Sequence, residues 1–353
     1  MIYISNIKLI FTFIFLFTSC QLLAEAKPCC TFDRPDSIAP IGVYADHLHK
    51  EDSVMLGYRL LYQKGDVHEM NHTDETTMQD YSDGLNHSEN LSEEHTIVGP
   101  SNKHTHRPRM AMHMLEAMYA PSDSVSLMGM TMFHQMDMLH LEGDSSLRTE
   151  NSGIGDTSLT ALVRLYTEDR DRFHIGMGVS LPTGSVTNTD TYHNGESRHP
   201  YSMVLGSGTV DLLPSATFVS QYDKWSWGTQ AMATLRTGEN NEGYTLGDRY
   251  KGNLWFAYKP NDFVSPSLRL WYERWNDVSG RDPKITFTNA FGDPSQQAGD
   301  ELSLAAGVNF LVRSGFLEGT RFGIEFGTPL TSSVDEGAHA TNWFANLGAI
   351  FTL

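Results

Sequence analysis

Residues 110–138 read MAMHMLEAMYAPSDSVSLMGMTMFHQMDM, and the order of those side chains decides the fold. Met110, Met112, Met114, Glu116 and Met118 fall on one parity, while Ala111, His113, Leu115, Ala117 and Tyr119 fall on the other. After Pro121-Ser122-Asp123 the alternation resumes, with Met128, Met130, Met132, His134, Met136 and Met138 set against Val125, Leu127 and Phe133. A period of two belongs to a β-strand, whereas a helix repeats at 3.6. The stretch therefore reads as two strands joined by a tight turn. Because Glu116 and His134 travel with the methionines, the thioether side is expected to face a polar interior and the aliphatic side lipid. Both Met rows share one side of the sheet only if residues of equal parity oppose each other, for example Tyr119 opposite Asp123. His113, on the outward parity, fits this assignment poorly.

The same alternation recurs along the chain. Val54, Leu56, Tyr58, Leu60 and Tyr62 alternate with Arg59 and Gln63, and Leu302, Leu304, Ala306, Val308 and Phe310 alternate with Glu301, Ser303 and Asn309. Such segments lie near residues 53–64, 109–120, 124–137, 154–166, 172–182, 209–221, 224–236, 250–259, 263–275, 301–313, 319–330 and 343–353. A tilted strand needs about 9–11 residues to cross the hydrocarbon layer, whereas strands of soluble proteins are usually about 5–6 residues long. Tight joints around Pro121, Asp169, Tyr222, Asn261 and Ser314 alternate with long polar stretches near 65–107, 138–153, 183–208, 237–249, 276–300 and 331–341. Short turns at one end and long loops at the other distinguish an outer-membrane barrel from a secreted sandwich or soluble barrel. The expected fold is all-β, an antiparallel transmembrane β-barrel of about 12 strands of the Gram-negative outer-membrane type. Aromatic girdles are expected from Tyr119, Tyr166, Trp225, Trp227, Trp255, Tyr258, Trp271 and Trp275.

Composition agrees with this class and excludes others. The 353 residues carry 43 acidic and 25 basic side chains, a formal charge of −18, which opposes nucleic-acid binding. Lys8, the apolar run Leu9 to Phe17 and Ala24-Glu25-Ala26 match a secretory signal. Cleavage is expected after Ala26, which divides the chain into a signal peptide at 1–26, a periplasmic lead-in at 27–52 and the barrel at 53–353, located in the outer membrane. Leu16 to Cys20 is an alternative lipidation box in which Phe17 is an unusual residue. The mature chain keeps only the adjacent Cys29 and Cys30, so no disulfide framework supports the fold.

Three motifs stand out between the strands: Ser152-Gly153-Ile154-Gly155-Asp156-Thr157-Ser158-Leu159, Leu181-Pro182-Thr183-Gly184 and Gly206-Ser207-Gly208-Thr209-Val210-Asp211-Leu212-Leu213-Pro214. They resemble a family of bacterial outer-membrane transporters named for the meta-pathway of phenol degradation, here in a Met- and His-rich subgroup. The resemblance implies a barrel that passes small organic compounds. The Met and His clusters place phenolic solutes in question.

Eleven of the fifteen histidines lie between His47 and His140, and nine of the sixteen methionines between Met110 and Met138. The external stretch 65–107 holds His68, His72, His87, His95, His104 and His106 among nine carboxylates, and His47 and His49 form a possible bidentate pair ahead of the first strand. Thioethers suit Cu(I) and imidazoles Cu(II), so copper is the candidate metal, although no cofactor is required. The opposing explanation is that Met merely fills irregular space or provides an apolar slide. Arg59, Glu116, Arg164, Arg236, Arg269, Glu273, Arg321 and Glu325 should face the lumen, since Arg or Lys at the lipid midplane costs about 2–4 kcal/mol. Three functions remain: a non-enzymatic conduit for a small solute, a copper-binding or copper-transporting protein, and an outer-membrane hydrolase. The hydrolase has only His199 with Ser202 and His193 with Asn194 as nearby pairs, in a predicted loop.

Overall fold

The computed structural model describes residues 34–65, 68–71, 103–142, 145–192, 195–287 and 290–352. Its strands form a closed antiparallel barrel of 12 strands. In chain order these are β1 (Val54–Gly65), β2 (Lys103–Ser122), β3 (Val125–Glu142), β4, built from Ser145–Ile154 and Thr157–Glu168, and β5 (Asp171–Leu181). The ring continues through β6 (Asp211–Gln221), β7 (Trp225–Arg236), β8 (Arg249–Tyr258), β9 (Val264–Trp275), β10 (Gly299–Leu311), β11 (Arg321–Val334) and β12 (Thr341–Thr352). Each strand pairs with its sequence neighbours, and β1 closes the ring on β12, with Leu60 opposite Leu347. Closure leaves no unpaired barrel edge to face hydrocarbon.

The alternation seen in the sequence sorts side chains between two solvents. Leu115 is 58% exposed and Leu127, Phe133, Leu268 and Phe326 are exposed, whereas Met114, Glu116, Met118 and Met128 are buried. Equal parities do oppose each other: Met110 faces Met136, Met114 faces Met132 and Met118 faces Met128. The register differs from the expected one in detail. Tyr119 lies opposite Leu127, because a bulge between Tyr119 and Ser122 absorbs the turn. His113 does point outward, where the Tyr58 hydroxyl lies 2.8 Å from its Nδ1 and Gln135 3.4 Å from its Nε2.

Three expectations are corrected. Residues 138–153 are largely strand: β3 and the first half of β4 continue as a ladder from Phe133–Ile154 to Glu142–Ser145. Beyond the membrane both faces can be polar, so the apolar alternation that marks a strand fades while the hydrogen bonds persist. For the same reason β2 begins at Lys103, inside the polar stretch 65–107, and a short strand, His68–Asn71, pairs with it. Trp255 and Trp271 belong to the lumen: Trp255 is buried beside Ala39 and Val43, and Trp271 stacks on Phe344 at 4.5 Å. Both share parity with polar inward residues, Asn253 and Arg269, and parity outweighs position along the strand.

The third correction concerns the expected periplasmic lead-in. From Arg34 to His49 the chain lies within the barrel, nearly every residue buried. Its apolar residues Ile38, Ile41, Val43, Ala45 and Leu48 gain cover there, and barrel residues with unused polar groups gain its carbonyls. The signal segment 1–26 lies outside the described residues, as do Cys29 and Cys30.

Leu254, in the middle of β8 on the outward parity, is expected to tolerate Phe but not Arg. Leu254→Arg should destabilise the barrel by about 2–4 kcal/mol, measured by urea unfolding in lipid vesicles.

Candidate functional site: an occupied lumen

The inserted segment enters and leaves at the end of the barrel that carries the short turns. Glu51 N–H donates to Asp123 Oδ1 (2.9 Å) and Asp52 N–H to the Ala120 carbonyl (2.9 Å), both at the β2–β3 turn. At its other end, Arg321, the first residue of β11, donates to the Arg34 carbonyl (2.6 Å) and to Ser37 Oγ (2.9 Å). Between them the chain reverses in a turn closed by Val43 N–H on the Pro40 carbonyl (2.9 Å).

Wall residues around the ring hold this loop by its backbone. Arg59 on β1 donates from Nη1 to the Ile41 and Val43 carbonyls, each at 2.6 Å. Its Nε and Nη2 bond Glu116 Oε1 on β2 at 3.1 and 3.0 Å. From other sides, Ser226 donates to the Asp36 carbonyl (2.8 Å), Gln230 to that of Tyr44 (2.8 Å) and Asn309 to that of Ala39 (3.1 Å). His174 Nε2 lies 3.0 Å from the Ala45 carbonyl.

Gly42 sits at the apex of the turn against a second buried pair. Arg269 on β9 reaches over the small residues of β10 to Glu325 on β11, with contacts of 3.0 and 2.5 Å, and its Nη1 donates to Asn253 (3.1 Å). A Cβ at position 42 would collide with Arg269 Nη2 and Glu325 Oε1. Only glycine allows the backbone to approach this pair so closely. Buried Arg–carboxylate pairs contribute modest net stability, but breaking one costs about 3–5 kcal/mol.

All eight charges expected in the lumen lie on inward positions. Arg59–Glu116 and Arg269–Glu325 are the buried pairs, Arg236 pairs with Asp211, Glu273 lies 3.0 Å from Lys251, and Arg321 holds the inserted chain. Arg164 is part-buried on β4, opposite His174. The candidate metal residues separate into groups. His47 and His49 lie inside the barrel, with ring centroids 4.8 Å apart. The Met row with His134 lines β2 and β3, and Met114, Met118, Met128 and Met138 are its buried members. His68 stands opposite His106, and His106 opposite His140, in the strand register. His72, His87 and His95 lie outside the described residues. Among the described residues no three His, Cys, Asp or Glu side chains converge as a metal site.

The three Gly-rich motifs meet at one point. β4 is interrupted at Gly155-Asp156, and the Asp156 carboxylate accepts Gly184 N–H (3.0 Å), Ser207 N–H (2.8 Å) and Ser207 Oγ–H (2.7 Å). Thr183 Oγ1 donates to the Gly155 carbonyl (2.7 Å) and accepts Thr157 N–H (2.9 Å). Gly184 and Gly206 cross so closely that a Cβ on either would strike the other's backbone. Thr209 Oγ1 binds Asp211 Oδ1 (2.6 Å), and Asp211 also holds Arg236. The knot fixes residues 182–210 against the upper half of β4: Asn151 donates to the Met203 carbonyl (2.7 Å), and Glu150 N–H to Asp190 (3.0 Å).

These external loops share an apolar cluster of Tyr201, Tyr244, Val278 and Ile285, with Phe287 packed against it. Arg198 ties them together through Asp282 and Glu242, both at 2.5 Å. The expected His199–Ser202 pairing does not form. His199 lies 2.7 Å from the Tyr192 hydroxyl, and burial holds its imidazole below the usual value, so the neutral ring accepts a hydrogen bond from the phenol. Ser202 Oγ instead lies 3.1 Å from His339 Nε2, across the loops. His193 and Asn194 lie outside the described residues.

The sequence reading passed over Gly42, Asp46, Met55, Asp156 and His174. The first two could have been found from the apolar content of residues 38–48, which a solvated leader does not need. Asp156 was visible inside its motif, but its partners are 28 and 51 residues away.

Two substitutions test these assignments. Glu325→Leu should cost about 3–5 kcal/mol by stranding Arg269, and Arg269→Met in the same chain should restore much of the loss, measured by chemical unfolding. Asp156→Ala removes a carboxylate with three donors and should cost at least ~2 kcal/mol. Limited proteolysis should then cut residues 182–210 faster while the barrel strands stay protected.

The fold is shared with a solved outer-membrane channel. The COG4313 outer membrane channel from Pseudomonas putida F1 is 13% identical and superposes with a TM-score of 0.59, covering 89% of this chain and 100% of that one. The transport unit of the autotransporter AIDA-I from Escherichia coli is 7% identical with a TM-score of 0.46, covering 88% and 94%. A Pseudomonas aeruginosa FadL homologue is 9% identical with a TM-score of 0.39, covering 94% and 98%. No curated protein matches the chain by sequence. The family model described as "Putative MetA-pathway of phenol degradation" matches residues 124–332, a span that contains all three motifs joined at Asp156. That span is more than half of the sequence, and the chain is a member of this family of outer-membrane barrels.

Proposed function

We propose that this barrel is a non-enzymatic conduit for a small solute across the outer membrane, closed at rest by its own residues 34–52. The inserted loop carries this reading. It is held by side-chain donors from β1, β7, β10 and β11 to its carbonyls, and among the described residues it forms no β-ladder with the wall. The apolar contacts of Ile41, Ala45 and Leu48 with the Met wall, and of Ala39 and Val43 with Trp255, pack such a segment without adding it to the sheet. One fastened by single polar bonds can leave without opening the barrel, provided water or solute replaces those bonds.

Twelve strands alone enclose little free space, since wide aqueous pores take about 16–18. The route would therefore run where the loop now lies, between the paired arginines and the Met-lined sector of β2 and β3. Half-buried Met112, Met130 and Met132 would offer a polarizable, adaptable surface to an apolar or amphiphilic solute. Such a wall suits a small, partly apolar solute.

Planar-bilayer recording tests the proposal. The intact protein should show rare or small openings, and a chain lacking residues 34–49 should give frequent, larger steps of uniform size. Gly42→Trp, which the Arg269–Glu325 pair cannot accommodate, should also raise the open fraction. A deletion chain that folds yet conducts no better than the intact one would overturn the reading.

A further inference from the structure

Three methionines on adjacent strands form a row near the short-turn end of the lumen. Met55 stands opposite Met118, and Met118 opposite Met128. All three are buried in one cluster with Ile41, Ala45 and Leu48 of the inserted loop. Directly opposed residues keep their Cβ atoms about 4.5–5.5 Å apart, so the three thioethers occupy one small patch of wall.

The inserted loop brings two imidazoles to this patch. His49 is fixed by its N–H on Ser126 Oγ (3.0 Å), two residues before Met128 on the same face, and its Nε2 lies 3.2 Å from Met55 Sδ. His47 stands beside it, 6% exposed. His47 Nδ1 is 2.9 Å from Asp46 Oδ1, and the same carboxylate accepts Ala39 N–H at 2.7 Å. A ring that donates Nδ1–H to a carboxylate presents the Nε2 lone pair, the second-shell arrangement that orients histidine for a metal. His47 Nε2 is buried and has no hydrogen-bond partner among the described residues. An unmet buried acceptor is costly, which makes it a place where a ligand gains.

We propose that His47, His49, Met55, Met118 and Met128 form a binding site for a soft monovalent cation of the Cu(I) class, between the inserted loop and the barrel wall. Thioether and imidazole donors select such an ion. Zinc and harder cations lack the converging His, Cys, Asp and Glu set they require. Asp46 supplies a negative charge behind His47. The site is distinct from the half-buried Met110, Met112 and Met136 nearer the external mouth. An ion bound here joins loop to wall and so favours the closed state, by the reciprocity of linked equilibria. That last consequence rests on the conduit reading, but the site itself does not.

Anaerobic titration of the purified barrel in detergent micelles with Cu(I), against bicinchoninate as competing chelator, tests the site. One equivalent should bind, with sulfur and nitrogen neighbours in its X-ray absorption spectrum. His49→Gln with Met55→Leu should weaken binding at least tenfold, while Met110→Leu with Met112→Leu and Met136→Leu leaves it within twofold. Heat-shifted migration on gels confirms that each variant is folded. No competition with the chelator, equal affinity in the His49/Met55 variant, or loss confined to the Met110 variant would each overturn the proposal. Failure of the loop deletion to conduct would leave these results unaffected.

Discussion

A guanidinium buried in a narrow barrel has five N–H donors and cannot lose its charge, so every neighbour must be arranged around it. Arg59 and Arg269 impose this constraint here. Arg59 spends one side of its fork on Glu116 and the other on the Ile41 and Val43 carbonyls, while Arg269 is shared between Glu325 and Asn253. The wall meets Arg269 by itself, whereas Arg59 needs further acceptors, from water or another chain in the lumen. The inserted loop supplies that chain in the case of Arg59, and its glycine is the concession made to Arg269.

The sector formed by β1, β2 and β3 is organised by a different economy. Thioethers face thioethers across the β2–β3 ladder, and methionine's flexibility lets unequal gaps be filled without fixed shape. The sector around β9 to β11 is charged and exact, with a guanidinium stacked 3.8 Å over Trp271. The loop lies between a compliant wall and a rigid one, its imidazoles toward the first and its glycine against the second.

The fold was legible because lipid and lumen demand opposite side chains at each step of a strand, and that demand writes a period of two into the sequence. The inward placement of Arg59, Glu116, Arg269 and Glu325 followed from parity, as did the shared face of the Met rows. Legibility stopped where the selection stopped. Beyond the membrane the β3–β4 hairpin carries polar residues on both sides, and its strands read as loop. The entry of residues 34–49 into the lumen depends on contacts with partners up to 287 positions away, such as Arg321 to Arg34, and no local pattern encodes such a pairing. Trp255 and Trp271 show the converse, where parity held the answer and the habit of placing tryptophan at interfaces concealed it.

Both ends of the inserted loop leave through the same rim, Arg34 at Arg321 and Ser53 into β1. Tension applied to the polypeptide upstream of Arg34 would therefore meet the fastenings one after another, first Arg321, then Ser226 and Asn309, then Arg59, each a bond or two in strength. Unzipping in series needs far less force than shearing a β-ladder, whose bonds yield together. The polar fastenings of the loop thus act in series along the chain, whereas the bonds between the twelve staves act side by side.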